Sequence, residues 1–212
     1  MRITFLGPPG SGKGTQAEKL SAEFDIPHIS TGDILRNSIT KQTEIGRKVK
    51  SYVESGRLVP DGVVLDLVLG EARQMESFVM DGFPRTLVQA ERLDEIAPIE
   101  ISVFFEISEA TVVARLTGRR ICPVCGRVYN LSGDRAVAKE RCDECSVSLV
   151  IREDDQENIV RRRIEIYKEE TLPLREYYRK KGVLRRLSAE GTPDTVYRRL
   201  KRTLLEDDSL KI

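Results

Sequence analysis

Short apolar runs bounded by turn residues recur along the chain at Ile3 to Leu6, Phe78 to Met80 and Ile101 to Ile107, with a weaker one at Val183 to Leu187. Runs of that length and flanking predict β-strands. Between them, helical spacing of apolar positions marks Lys13 to Phe24, Val63 to Met75, Leu87 to Ile96 and Glu109 to Leu116. Strand and helix alternate, so the pattern predicts an α/β fold built on a doubly wound parallel sheet. Ligands of such sheets sit beyond the C-terminal ends of the strands, which singles out the residues that follow each run.

Two stretches break the rhythm. From Ser30 to Val59 the chain offers helical segments without an obvious strand, opening at Thr31-Gly32-Asp33 and closing near Gly56 and Pro60. This reads as an inserted helical lobe, residues 30–59. From Gly118 to Asp155 the sequence turns rich in glycine, cysteine and charge, with short β-like pieces at Arg127-Val128-Tyr129 and Ser148 to Arg152. This reads as a second, small β-rich insertion, residues 118–155. A charged helix from Gln156 returns the chain to the core, with Pro173 expected to kink or split it. The core would then comprise 1–29, 60–117 and 156–212.

Composition narrows the picture. Among 212 residues, 35 Lys and Arg nearly cancel 34 Asp and Glu, so nothing suggests a protein that coats nucleic acid. No apolar run is long enough to span a bilayer, and Met1 to Leu6 runs straight into a glycine loop without the segments of a signal peptide. A cytoplasmic monomer is the expectation, with neither membrane nor nucleic acid as a partner. In a reducing compartment paired cysteines are more often metal ligands than disulfides. The one histidine, His28, reads as a packed or surface residue.

Chemistry enters at Gly7-Pro8-Pro9-Gly10-Ser11-Gly12-Lys13-Gly14-Thr15, which follows a strand and opens a helix. That is the context a phosphate loop requires: backbone N–H groups turn inward, the helix N-terminus favours an anion, and Lys13 neutralises the outer phosphates. The strict pattern has Ser or Thr directly after the lysine. Here Gly14 stands there and Thr15 follows, so a direct hydroxyl ligand to magnesium is in doubt and the metal would be held more by substrate oxygens, water and a carboxylate. Asp81-Gly82-Phe83-Pro84-Arg85-Thr86, directly after the strand at Phe78, puts a carboxylate and a guanidinium at a second strand end. Alone, that hexapeptide would fit a loop in which Asp81 caps a helix and Arg85 is solvated. Beside a phosphate loop it reads as part of the same site.

These two motifs, together with Ser30-Thr31-Gly32-Asp33, Gly118-Arg119-Arg120 and Arg152-x-Asp154-Asp155, occur in an order that resembles the adenylate kinases over essentially the whole chain. The resemblance implies a P-loop NTPase-like core with an AMP-binding lobe and a lid, and transfer of phosphate from ATP to AMP to give two ADP. It places the AMP site on Thr31, Arg36, Arg57, Leu58, Val59, Gly82, Phe83, Pro84, Arg85 and Gln89. It places the ATP site on Gly10, Ser11, Gly12, Lys13, Gly14, Thr15, Arg115, Arg119, Val128, Tyr129 and Pro193, the last through its backbone. Arg152 and Arg163 would meet the transferring group and the AMP phosphate. Lys13, Arg85, Arg119, Arg152, Arg163 and Asp81 form the implied catalytic set, with Asp81 orienting Mg2+ through water. Related uridylate and cytidylate kinases tend to carry alanine where Thr31 stands, which points to adenine. Asp154 and Asp155 could steady the arginines or latch the lid, and the spacing does not separate these roles. Arg161 and Arg162 read as a solvated helix face.

Cys122-x2-Cys125-x16-Cys142-x2-Cys145 has the spacing of a four-thiolate zinc site. With all four positions thiolate, no coordination place stays open, so a bound metal would be structural. Iron, disulfides or free thiols are the other readings. Three other functions fit parts of the sequence: a kinase for a different nucleoside monophosphate, an ATPase that delivers phosphate to water, and a zinc-ribbon nucleic-acid binder. The acids Asp134, Glu140, Asp143 and Glu144 weigh against the last.

Overall fold

The computed structural model describes residues 1–131 and 140–205. Asp134 and the last residues of the 156–212 segment, 206–212, lie outside the described residues. In chain order the elements are β1 (Arg2–Leu6), α1 (Lys13–Phe24), β2 (His28–Ser30), α2 (Thr31–Thr40), α3 (Glu44–Glu54), α4 (Asp61–Ala72), β3 (Phe78–Asp81), α5 (Leu87–Ile96), β4 (Ile101–Glu106) and α6 (Glu109–Thr117). There follow β5 (Arg119–Ile121), β6 (Val128–Asn130), α7 (Glu157–Ile166), α8 (Leu174–Lys180), β7 (Leu184–Ser188) and α9 (Pro193–Leu205).

Five strands form one parallel sheet in the order β2-β3-β1-β4-β7. Alternation within the strands splits the core in two. Ile3 and Phe5 of β1, Val79 of β3 and Val103 and Phe105 of β4 face α1 and α9, where they meet Ala17, Leu20, Val196 and Leu200. Leu6, Met80 and Phe104 face the other way, onto Val64 and Val68 of α4, Leu93 of α5 and Tyr178 of α8. Val49 of α3 belongs to that second core, and Ile34 and Leu35 of α2 pack against it. β1, β3 and β4 are buried on both faces, the reason their sequences read as continuous apolar runs.

The sheet register places the two motifs side by side. Phe5 pairs with Asp81, and Ser30 pairs with Asp81 from the other edge, so β1, β2 and β3 end together. β2 is the strand that the hydrophobic pattern does not announce. With only His28–Ser30 in it, no alternation can develop. Its Ser30 then caps α2, accepting from Asp33 N–H at 3.3 Å. Thr4, buried in β1, donates to the Phe83 carbonyl at 2.8 Å and ties the second motif to the central strand.

The helix expected from Gln156 runs as α7, then a π-helical turn over Tyr167–Thr171, then α8. In an unbroken α-helix the Pro173 ring would strike the carbonyl four residues earlier. The wider turn, closed by Leu172 N–H on Tyr167 O at 2.8 Å, avoids that clash. Thr171 there donates to the Arg85 carbonyl at 2.9 Å.

In the cysteine-bearing segment β5 and β6 form an antiparallel pair, Arg119↔Asn130 to Ile121↔Val128. Ile121 also bridges to Val150, with N–H to O distances of 2.8 and 2.9 Å in the two directions, so the segment leaves and returns at adjacent points. Among the described residues no helix is long and apolar enough to cross a membrane.

Candidate active site and metal centre

The chain leaves β1 through Gly7, whose φ is 145°, and a Cβ there would fall 2.9 Å from the Phe105 carbonyl oxygen on β4. Only glycine makes that turn. Lys13 folds back over the loop and donates to the carbonyls of Gly7 and Pro8, both at 2.8 Å, and to Ser11 Oγ at 3.2 Å. Burial pulls its ammonium down to about 8, with Asp81 working in the opposite sense. Gly14, the departure from the strict loop pattern, has a physical reason. A Cβ on residue 14 would lie 3.1 Å from Asp81 Oδ2, tighter than ordinary van der Waals contact, so a side chain there would press on the carboxylate.

Across the cleft, Asp154 and Asp155 organise three arginines. Arg119 grips Asp155 with both ends of its fork, Nε donating to Oδ2 at 2.6 Å and Nη2 to Oδ1. Arg163 donates to Asp155 Oδ1 at 3.1 Å and to the Asp154 carbonyl at 2.8 Å. Arg152 holds Asp154 through Nε at 3.0 Å and Nη2 at 3.2 Å. Of the two roles open to this acid pair, the geometry supports the steadying of arginines. Burial pushes the Asp154 carboxyl up, but Arg163 and Arg152 overcome it and hold the group well below the usual range. For the cations the balance is reversed: burial, then repulsion from Arg119, pulls Arg152 down to about 9, and burial, then Arg163, pulls Arg85 down to about 10. Two buried acids do not neutralise this many cations, and the cleft is short of negative charge. Arg161, by contrast, is exposed and pairs with Glu157 at 2.7 Å on its own helix.

On the lobe side, Arg36 is held by Asp33 at 2.6 Å, while Arg57 stacks on Tyr52 at 4.9 Å and donates to Ser55 Oγ at 3.0 Å. Arg85 Nε donates to the Gly82 carbonyl at 2.8 Å. Thr31 donates to that same carbonyl at 2.8 Å, which leaves its oxygen free to accept. Gln89 Oε1 accepts from Arg85 N–H at 2.8 Å and Gln89 Nε2 donates to Asp61 at 2.7 Å. On the loop-to-α9 side, Arg115 donates to the carbonyls of Ala189 and Gly191 at 3.0 and 2.9 Å, and Gln16 donates to that of Pro193 at 3.0 Å.

Lys13, Thr31, Arg36, Arg57, Asp81, Arg85, Gln89, Arg115, Arg119, Arg152, Asp154, Arg163 and Pro193, with Gly10 to Thr15, Leu58, Val59, Gly82, Pro84 and Val128, line one cleft of about 1040 Å³, while Asp155 and Asp61 stand behind it. Phe83 is the candidate that stands apart: its ring is fully buried in the core and its carbonyl is taken by Thr4. Its part is to fix the loop that carries Gly82 and Pro84. Tyr129 borders the cleft, but its hydroxyl turns away to Cys142 Sγ at 3.3 Å. Sequence reasoning missed Asp61 and Gln16. Asp61 in the first turn of α4 reads as a helix-dipole residue, and Gln16 as an ordinary residue of α1.

The four cysteine sulfurs lie within 4.8 Å of one another, Cys125 and Cys142 at 3.7 Å. Tetrahedral thiolates around zinc would be separated by about 3.8 Å, given Zn–S bonds near 2.3 Å. Each pair also forms a turn whose N–H points at sulfur, Cys125 N–H on Cys122 at 3.5 Å and Cys145 N–H on Cys142 at 3.4 Å. Donation from Tyr129 holds the Cys142 thiol below its ordinary value. The cluster fits a metal ion.

A glycine loop at the end of a central parallel strand, beside a second strand-end motif and opening on a cationic cleft, defines a P-loop protein built to hold two anionic ligands. Comparison with known sequences narrows this. The adenylate kinase family model matches residues 5–183. Relatives named adenylate kinase include proteins from Thermotoga maritima (48% identical over 199 residues, 90% of each chain) and Archaeoglobus fulgidus (46% over 202 residues, 92% of each). Another, from Petrotoga mobilis, is 46% identical over 185 residues, covering 85% of this chain and 86% of its own. The chain belongs to the adenylate kinase family.

Proposed function

We propose that the protein transfers the terminal phosphoryl group of ATP to AMP, reversibly, giving two ADP. The observation that carries this is the meeting of Lys13, Arg85, Arg119, Arg152 and Arg163 on one cleft, with an adenine-compatible wall at Thr31 and Gln89 on its lobe side. ATP would lie with its phosphates on Gly10 to Thr15 and its base near Pro193, and the AMP phosphate would meet Arg36, Arg85 and Arg152. The acceptor is already an anionic oxygen, so no strong general base is required, and catalysis reduces to alignment and charge stabilisation. Guanidinium forks suit this because they bind phosphate oxygens in pairs and stay charged. Mg2+ carried in with ATP would neutralise developing charge, and Asp81 is the residue placed to orient its water shell.

The 1–29, 60–117 and 156–212 segments serve as the core in this reading, 30–59 as the AMP lobe and 118–155 as a lid that keeps water from the transferring group. The four cysteines hold structural Zn2+ in that lid. The protein acts as a cytoplasmic monomer without nucleic acid partners. A coupled assay with ATP and a panel of nucleoside monophosphates tests the reading: AMP should be preferred, and equal or better turnover with UMP or CMP would overturn it.

A further inference from the structure

Gln89 is almost wholly buried, and a primary amide set in a cleft wall has an ambiguity that matters for recognition. Its oxygen and nitrogen can exchange places by rotation about one bond, and the two settings present opposite patterns to a ligand. One setting offers donor and acceptor in the order that matches a 6-aminopurine. The other matches a 6-oxopurine, whose ring nitrogen donates and whose exocyclic oxygen accepts.

Two neighbours settle the ambiguity here. Arg85 N–H donates to Gln89 Oε1 at 2.8 Å, and Asp61 Oδ1 accepts from Gln89 Nε2 at 2.7 Å. Reversing the amide would set donor against donor at Arg85 and oxygen against carboxylate at Asp61. Asp61 is itself held, both of its oxygens accepting from Thr86 Oγ1 at 3.1 Å, and Thr86 in turn caps α5 by accepting from Gln89 N–H at 3.2 Å. The ring of contacts Asp61, Thr86, Gln89 joins the start of α4 to the start of α5. It spends one amide proton and one oxygen lone pair of Gln89 and leaves one of each for a ligand. Asp61 is not among the residues that line the cleft.

We propose that Asp61 is a positioning residue for acceptor selection: by fixing the amide of Gln89 it makes the site favour a 6-amino over a 6-oxo purine monophosphate. This rests on the reading that Gln89 meets the base of the acceptor. The useful quantity is the ratio of kcat/KM for AMP to that for IMP, because it is independent of the fraction of folded enzyme. A merely structural Asp61 would lower both kcat/KM values alike and leave the ratio in place.

In D61A the backbone N–H of Arg85 alone orients the amide, and the ratio should fall about tenfold, the scale of one well-made hydrogen bond. Most of the change should appear as a raised KM for AMP. D61N keeps Oδ1, which can accept from both Gln89 Nε2 and Thr86 Oγ1, so it should restore most of the ratio. Q89A tests the underlying reading. If Q89A loses selectivity and D61A stays within about twofold of native, the inference about Asp61 is overturned while the role of Gln89 stands. If Q89A leaves the ratio unchanged, Gln89 does not read the base and both fall.

Discussion

Gly14 lies close against Asp81: the Cβ that residue 14 lacks would sit 3.1 Å from Asp81 Oδ2. A side chain in the phosphate loop at this position and the carboxylate at the end of β3 would therefore crowd one another. A serine at 14 would push the Asp81 carboxylate by a few tenths of an ångström from its present place. G14S is expected to keep its fold and lose turnover by about tenfold or more, with the Mg2+ concentration for half-maximal rate raised. Unchanged magnesium dependence, measured by steady-state kinetics, would show that Asp81 has no part in orienting the metal.

Lys13 offers a pH test. Its ammonium is lowered from 10.5 to about 8 by burial, so in the ligand-free protein the charge is lost as pH rises through about 8. ATP binding should weaken over that interval, measured calorimetrically with magnesium held constant. The stability sign is opposite. The unfolded chain keeps the proton up to about 10.5, so between these values the unfolded state binds more protons and stability rises with pH. K13M should flatten both trends and cut turnover about a hundredfold or more. A folded K13M enzyme with near-native rate would remove Lys13 from the mechanism.

For Arg85 the expected signature is asymmetric. R85A should raise KM for AMP by about tenfold or more and that for ATP much less, with a further fall in kcat if the contact tightens in the transition state. Small, equal effects on both substrates would assign Arg85 to holding Gly82 alone.

Asp155 is fully buried between Arg119 and Arg163. D155A leaves Arg119 without its carboxylate and Arg163 with Asp154 alone, a loss on the order of 3–5 kcal/mol. In a chain of this size that corresponds to roughly 10 °C in Tm. ATP and AMP together should recover part of it, because their phosphates supply the missing charge. A scan in which D155A melts like the native protein would show that the pair is not a structural anchor.

The cysteine cluster predicts that one zinc per chain survives purification without a metal-binding tag. Chelation should lower Tm, since binding free energy in such a site is also local folding free energy. The site should weaken on acidification, as protons compete for the thiolates. C142S should act mainly through stability and keep partial activity at low temperature. Elemental analysis gives the direct check, and four free thiols without metal would refute the site.

Much of this was readable in the chain because its signals are local. α1 and α5 run over the residues the spacing predicts, Lys13–Phe24 and Leu87–Ile96, since each has a buried stripe on one face and a turn signal before it. The glycine loop and the Asp81 motif announce themselves by sitting after strands. What was not legible depends on partners distant in sequence. β2 is a strand only because β3 lies beside it, and the π turn exists because Pro173 must be accommodated where Thr171 meets Arg85. The tie between Asp61 and Gln89 spans 28 positions and has no local signature. The two roles open to Asp154 and Asp155 are separated only when three arginines arrive from β5, from the end of the cysteine segment and from α7.

The bridge between Ile121 and Val150 has a consequence for how this sequence can change. The knuckles of Cys122 with Cys125 and of Cys142 with Cys145 lie beyond that bridged pair, while β6 between them reaches back to the core side, Asn130 Nδ2 donating to the Arg115 carbonyl at 2.8 Å and Leu131 N–H to that of Gly118 at 2.9 Å. Exchanging the knuckles while keeping β6 touches neither the ends of the sheet nor the ion pairs of Asp154 and Asp155 with their arginines. The metal knuckles can be regarded as a cassette, exchangeable for any other fold whose ends come equally close and that still presents Val128 and Tyr129 to the cleft.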